Sequence, residues 1–280
     1  MNICINQVEP DVPIELLASF VEDKTRTSFD PHLVGVLIVC SETGKCGARV
    51  DALLDRGEIN VYLHYVFDLW AERWRRREAK GDMIIVRYAD DIVVGFQHEA
   101  DARRFWVAMR ERLQEFSLSL HPERTRLIEF GRFAADKRAQ RGVGKPETFN
   151  FLGFTFICGK SLKGKFLILR KSRSDRVRAK LREIKDELRK RMHEPIPEQG
   201  KWLRQVVGGF FAYHAVPTNH DTLGTFRRRV EELWKRSLQR RSQRADLTWT
   251  RMQRLADDWL PKPKILHPWP SVRFAVRHSR

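Results

Sequence analysis

Cysteine is scarce. Cys4, Cys40, Cys46 and Cys158 are the four in 280 residues, and they form neither a C-x-x-C pair nor a Cys/His cluster with zinc spacing. Neither a disulfide framework nor a structural zinc site is therefore expected. Long apolar runs are missing as well: no stretch approaches the ~18 uninterrupted apolar residues of a membrane span. Nor does the N-terminus pair a basic segment with an apolar run and a small-residue cleavage site. The expectation is a soluble, cytoplasmic protein with no membrane partner. Acid is also short over most of the chain. Residues 1–80 hold 10 basic against 13 acidic side chains, whereas residues 81–280 hold 43 against 23, for a formal net charge of +17. An excess of this size draws a polyanion, and nucleic acid is the expected partner.

Core-forming material is plentiful. A hydrophobic share of 42%, with eight Trp and seventeen Phe, separates the chain from disordered sequences despite its 32% charged residues. The length suits one large or two moderate domains. The nine His show no ligand spacing and are assigned no chemistry.

Along the chain, residues 14–21 predict a short helix and residues 34–40 a buried strand, parted by the turn-prone Asp30-Pro31. Leu63, Val66, Phe67, Trp70 and Trp74 recur at helical steps, so residues 60–77 predict an amphipathic helix whose last turn, Arg75-Arg76-Arg77, complements the helix dipole. Two β-branched runs, residues 83–87 and 92–96, flank Tyr88-Ala89-Asp90-Asp91 and predict a hairpin with acids at its tip. A helix over residues 99–117, strands over 125–130 and 150–156, and a basic loop over 134–145 follow, an order that fits a ferredoxin-like α+β arrangement. Near Arg170 the pattern turns helical. Val177, Leu181, Ile184 and Leu188 make a narrow apolar stripe, with Ser174 as its cap and Pro195 and Pro197 ending it. Three further helices are marked by Trp202, Val206 and Phe210, by Leu223, Phe226, Val230, Leu233 and Trp234, and by Leu247, Met252, Leu255 and Trp259. Trp202 and Trp234 lie on apolar stripes and read as core, whereas Trp269 sits among prolines in a basic tail and is the tryptophan suited to stacking on a base.

Two adjacent carboxylates at a hairpin tip offer the hard oxygen ligands that magnesium prefers. Taken alone, Asp-Asp is more often the composition of a solvated turn. Its context narrows the choice. Arg87-Tyr88-Ala89-Asp90-Asp91-Ile92-Val93-Val94-Gly95-Phe96 closely resembles the YADD motif of group II intron reverse transcriptases. The run 118–132, Leu118 to Arg132, is similar to that family's next palm motif, with Arg124 where a lysine is usual, and 149–156 resembles its primer-grip hairpin, with Gly153. Residues 174–255, with Gly208-Gly209-Phe210-Phe211-Ala212-Tyr213-His214, look like the group II maturase-specific region, and His267-Pro268-Trp269-Pro270 resembles its closing segment.

The resemblance implies a partial reverse-transcriptase palm, an antiparallel sheet with helices, followed by an all-α thumb/maturase bundle and an extended basic tail: an α+β chain. Its segments are 1–58, a degenerate upstream palm remnant; 59–168, the palm with the YADD hairpin; 169–260, the maturase-specific thumb; and 261–280, the tail. It implies RNA-directed DNA synthesis with Asp90 and Asp91 as catalytic, Mg2+-binding residues, the primer hydroxyl attacking the nucleotide α-phosphate and pyrophosphate leaving. Nucleic acid would be held by Arg124, Gly153, Arg176, Arg178, Lys180, Arg182, Lys185, Arg189 and Lys190, with group II intron RNA as partner and a DNA target or primer as a second one. The sequence also departs from the family. The family's fingers and a further catalytic aspartate precede the residues that match, Thr43-Gly44-Lys45-Cys46-Gly47 is an altered form of its T-P-Q-G motif, and Arg124 gives up a proton less readily than lysine. A second chain supplying the missing palm and fingers, a non-catalytic RNA-binding relic, and a degraded remnant are the alternatives these departures open.

Overall fold

The computed structural model describes the backbone of residues 35–40 and 56–59, and residues 60–241 and 247–269 with their side chains. The expected helix over 14–21 and the altered motif at Thr43–Gly47 lie outside these residues. The described residues divide into two compact units: the first holds 35–40, 56–152 and 156–168, the second 153–155, 169–241 and 247–269.

In the first unit, β1 (Gly35–Cys40), β2 (Met83–Tyr88), β3 (Asp91–Phe96) and β4 (Arg126–Ile128) form an antiparallel sheet in the order β2-β3-β1-β4. β1 runs between β3 and β4, with Gly35 opposite Phe96 and Cys40 opposite Asp91. The helix expected over 60–77 is α1 (Arg56–Leu63), a π-turn (His64–Asp68) and α2 (Leu69–Arg77) in unbroken succession. With α3 (Glu99–Glu115) it buries an apolar face against Met83 and Ile85 of β2 and Ile92, Val94 and Phe96 of β3. Strand alternation puts those five residues on one face of the sheet. At the centre Trp74 and Phe105 meet edge to face at 5.0 Å between centroids, and full burial of such a side chain contributes roughly 1.5–3 kcal/mol.

The loop expected over 134–145 contains a helix instead, α4 (Ala134–Gln140). Its three alanines favour helix, and the glycines that suggested a loop come only afterwards. Gly142, at φ 66, closes the helix with its N–H on the Ala139 carbonyl, while Val143 donates to Arg138. The strand expected over 150–156 is split into β5 (Phe149–Phe151) and β6 (Phe154–Lys160) by Leu152 at φ 45 and Gly153 at φ 77, a two-residue hairpin turn. A strand that hydrophobic periodicity did not mark, β7 (Phe166–Ser172), completes a second sheet in the order β5-β6-β7. β6 and β7 each contribute residues to both units.

The second unit holds α5 (Ser174–Lys190), α6 (Ile196–His214), α7 (His220–Gln239) and α8 (Trp249–Trp259). Their apolar stripes converge on Ile184, Leu188, Leu203, Val207, Phe226 and Trp234, with Met252 and Ala256 from α8. Two expected boundaries are corrected. Ser174 is the first helical residue rather than a cap, which falls on Arg173 without a side-chain bond. Pro195 and Pro197 open α6 rather than end α5, because proline lacks the N–H that a first turn leaves unpaired anyway. Trp234 is fully buried and its indole N–H donates to the buried Gln199 at 2.8 Å. Trp202 is half-buried under the Arg191 guanidinium, 5.3 Å from its ring. Residues 261–266 have no regular secondary structure, in keeping with Pro261 and Pro263. No helix among the described residues is long and apolar enough to cross a membrane.

Candidate nucleic-acid and metal site

The β2–β3 ladder continues to the Tyr88–Asp91 pair, which leaves Ala89 and Asp90 as a two-residue turn. Such tight turns match strand twist by placing central residues at positive φ, where glycine or asparagine is usual. Here alanine takes φ 52, a conformation that costs of order 1–3 kcal/mol for a non-glycine residue and must be held by its surroundings. Arg87 supplies the hold. Its Nη1 donates to the Ala89 carbonyl at 2.9 Å and to Asn60 Oδ1 at 3.1 Å. Nε and Nη2 donate to the two carboxylate oxygens of Asp68 at 2.8 and 2.7 Å. Arg87 is 8% and Asp68 2% exposed, so the pair is buried on both sides. Asp68 ends the π-turn, and His64 at its start lies 3.3 Å from Asp68 through Nδ1.

Asp90 and Asp91 are half-buried at the tip of this hairpin. Burial raises the pKa of Asp90 above the usual carboxylate value, and the charge of Asp91 adds to the effect; the backbone amide of Asp90 and the positive charge of Arg124 oppose it. The fold thus brings together three of the residues singled out from sequence, Asp90, Asp91 and the exposed Arg124. A crowded, partly dehydrated carboxylate pair is what a divalent cation relieves, and Mg2+ is commonly held by one or two carboxylates with water and substrate phosphates completing the shell. The two carboxylates fit such an ion. Opposite Asp91 on β1 stands Cys40, and β1 reads Gly-Val-Leu-Ile-Val-Cys without a carboxylate. Among the described residues no group of three or more His, Cys, Asp or Glu side chains is placed to hold a metal.

Gly153 lies at φ 77, and a Cβ there would stand at ordinary van der Waals distance, 3.6 Å, from the Tyr213 ring. The requirement for glycine comes from the backbone rather than from crowding.

In the second unit, the seven cations predicted on α5 fall into distinct sets. Lys180 pairs with Glu183 at 2.9 Å and Lys190 with Glu187 at 3.2 Å. Arg178, Arg182, Lys185 and Arg189 are exposed and have no carboxylate partner among the described residues. They follow one another at steps of four, three and four residues, which on an α-helix is a single stripe about 16 Å long. Arg176 is exposed too, but its position in the helical turn puts it on another face. Asp186, four residues after Arg182 and three before Arg189, borders the stripe, whereas Glu187 lies across the helix from it and reaches Lys190.

Residues 59–156 match the family described as reverse transcriptase (RNA-dependent DNA polymerase). The chain carries a reverse-transcriptase-like domain over part of its length. No curated protein matches the sequence. The reverse-transcriptase-like domain spans the π-turn, the Asp90–Asp91 hairpin, Arg124 and the β5–β6 turn with Gly153, and ends before α5.

Sequence reasoning missed Asn60, Asp68 and Arg87 as supports of this domain's candidate site. A signal was available: Arg87 interrupts an apolar strand and Asp68 an apolar helical stripe, and an isolated charge in either pattern announces a buried partner. The π-turn that sets the facing of Asp68 left no comparable mark.

Proposed function

We propose that this chain is an RNA-binding relative of the group II intron reverse transcriptases and maturases, holding intron RNA through the cations of α5. One observation carries the reading: Arg178, Arg182, Lys185 and Arg189, without carboxylate partners among the described residues, share one exposed stripe. Such a stripe meets phosphates, and structured RNA is held mainly through phosphates, 2′-hydroxyls and shape. Its neighbours on α5, Lys180 and Lys190, are engaged with acids of the same helix.

A second reading, RNA-directed DNA synthesis, is favoured by the Asp90–Asp91 turn. A Mg2+ held there by Asp90 and Asp91 would supply charge neutralisation at transferring phosphates and activation of an attacking hydroxyl. This chemistry commonly draws carboxylates from more than one strand, and β1 brings none to the partner position of Asp91. The polymerase reading calls for a further carboxylate beside this pair, from a second polypeptide or from a position outside the described residues.

The test is retention of group II intron RNA at graded salt, run alongside primer extension on an RNA template with Mg2+. The purified chain is compared with its Asp90→Ala, Asp91→Ala and Arg182→Glu, Arg189→Glu variants. Salt-sensitive retention lost only in the second variant supports RNA binding by α5. Extension lost in the first variant would make the chain a polymerase, and retention indifferent to the α5 changes would end the binding assignment.

A further inference from the structure

The buried Asp68–Arg87 pair stands in an apolar core between the π-turn and β2. A buried ion pair seldom stabilises a fold beyond what apolar side chains of the same volume would, and a π-turn inside an α-helix is rare and concentrated at functional places. Stability alone is therefore a poor account of why two charges and a distorted helix occupy this position. The geometry offers another. The Arg87 guanidinium donates four hydrogen bonds. Two fix it to Asp68, one to Asn60, and the fourth reaches the carbonyl of Ala89, the residue held at φ 52 immediately before Asp90.

We infer that Asp68 and Arg87 form a positioning strut for the Asp90–Asp91 turn: the helix-anchored guanidinium clamps the Ala89 carbonyl, and the clamp sets the facing of both carboxylates toward a divalent cation. The inference rests on reading that turn as a cation site. The role is mechanical, since the guanidinium's charge is neutralised by Asp68 and the groups that shift Asp90 are its burial, its own amide, Asp91 and Arg124. Lysine could replace the charge but not the planar fork that serves Asp68 and Ala89 at once. Asp68 and Arg87 would act through the Ala89 carbonyl and not as ligands of the cation.

Mn2+ is the probe, titrated into the full-length chain and followed by the electron paramagnetic resonance of the free ion. The binding component that disappears in the Asp90→Ala, Asp91→Ala variant defines the site. Two strut variants are compared with it, Arg87→Lys and the apolar pair Asp68→Leu, Arg87→Met, each checked for its urea midpoint. In the apolar pair no charge is left buried, so a purely structural role predicts a near-normal midpoint with unchanged Mn2+ affinity. The strut predicts Mn2+ affinity lower by about tenfold or more, the usual consequence of releasing a group that orients a ligand. Wild-type affinity in either folded strut variant overturns the inference and leaves the cation site standing. Mn2+ binding that is the same in the wild type and the Asp90→Ala, Asp91→Ala variant overturns the cation reading of the turn together with the strut.

Discussion

Ser172 Oγ lies 2.9 Å from His214 Nδ1, joining the end of β7 to the last residue of α6 in a buried network. Asn219 completes the network, donating to Ser172 Oγ and to the His214 carbonyl, each at 2.8 Å, and accepting from the Ser172 amide at 3.1 Å. Because the serine oxygen accepts from Asn219, its own hydrogen is available for Nδ1, which is the arrangement of a neutral imidazole. The Phe210 ring stacks on that imidazole at 4.2 Å. Burial lowers the His214 pKa to about 4.

This histidine makes stability depend on pH in a defined direction. An unfolded histidine takes up its proton near pH 6.5, whereas the folded one stays neutral until about pH 4. Between those values the unfolded state binds more protons, so the contribution is fully present above pH 6.5 and is lost as pH falls toward 4, amounting to about 3 kcal/mol. Urea midpoints of the wild type should drop across this range more steeply than those of His214→Asn. Parallel curves for the two proteins would show that His214 is not the group responsible.

Gly200 faces the ring of Trp259, and a Cβ at that position would stand 2.6 Å from the indole Cγ. Gly200→Ala, although it favours helix, is therefore expected to destabilise the second unit by about 1–3 kcal/mol through overpacking. The urea midpoint, read together with tryptophan fluorescence, measures it. An unchanged or higher midpoint would mean that Trp259 swings aside at no cost.

Removing one partner from the buried pair should cost far more than removing both. Asp68→Ala leaves the Arg87 guanidinium uncompensated in the core, a loss of about 3–5 kcal/mol, whereas the apolar pair Asp68→Leu, Arg87→Met should fall within about 1.5 kcal/mol of wild type. Equal losses in the two proteins, measured by urea unfolding, would contradict the buried geometry.

On α5, the position of a cation and not its mere presence should decide its effect on RNA. Arg182→Ala with Arg189→Ala is expected to make the salt dependence of RNA binding shallower by about 2 in log–log slope, one for each phosphate no longer neutralised. Lys180→Ala with Lys190→Ala, which removes cations engaged with Glu183 and Glu187, should change the slope much less. Filter retention between low and physiological salt reads both. Identical slopes for the two double variants would reduce the stripe to a general basic surface.

Elements with a long, undisturbed apolar period were legible from the order of residues alone. The helix after the Asp90–Asp91 hairpin and the four helices from Ser174 onward could be read because one face of each must be buried and residue spacing records which face, and the hairpin because two continuous β-branched runs flank its turn. The strand at Gly35–Cys40 was visible as a short continuous apolar run. Composition misled where its parts were unevenly placed: the glycines after residue 140 hid the alanine-rich helix before them, and Pro195 and Pro197 read as an ending although they open the next helix.

Tertiary structure alone decided the rest. Which strand lies beside Asp91, and that Cys40 is its register partner, depends on a pairing across some fifty residues that no local period encodes. The sorting of α5 cations into engaged and unengaged sets depends on rotation about the helix and on the reach of Glu183 and Glu187. The clamp of Arg87 on Ala89 depends on a π-turn that brings Asp68 inward, and only in the folded core do an isolated acid and an isolated base find one another. Periodicity reports burial one element at a time, whereas pairing, register and charge partnership belong to two elements at once.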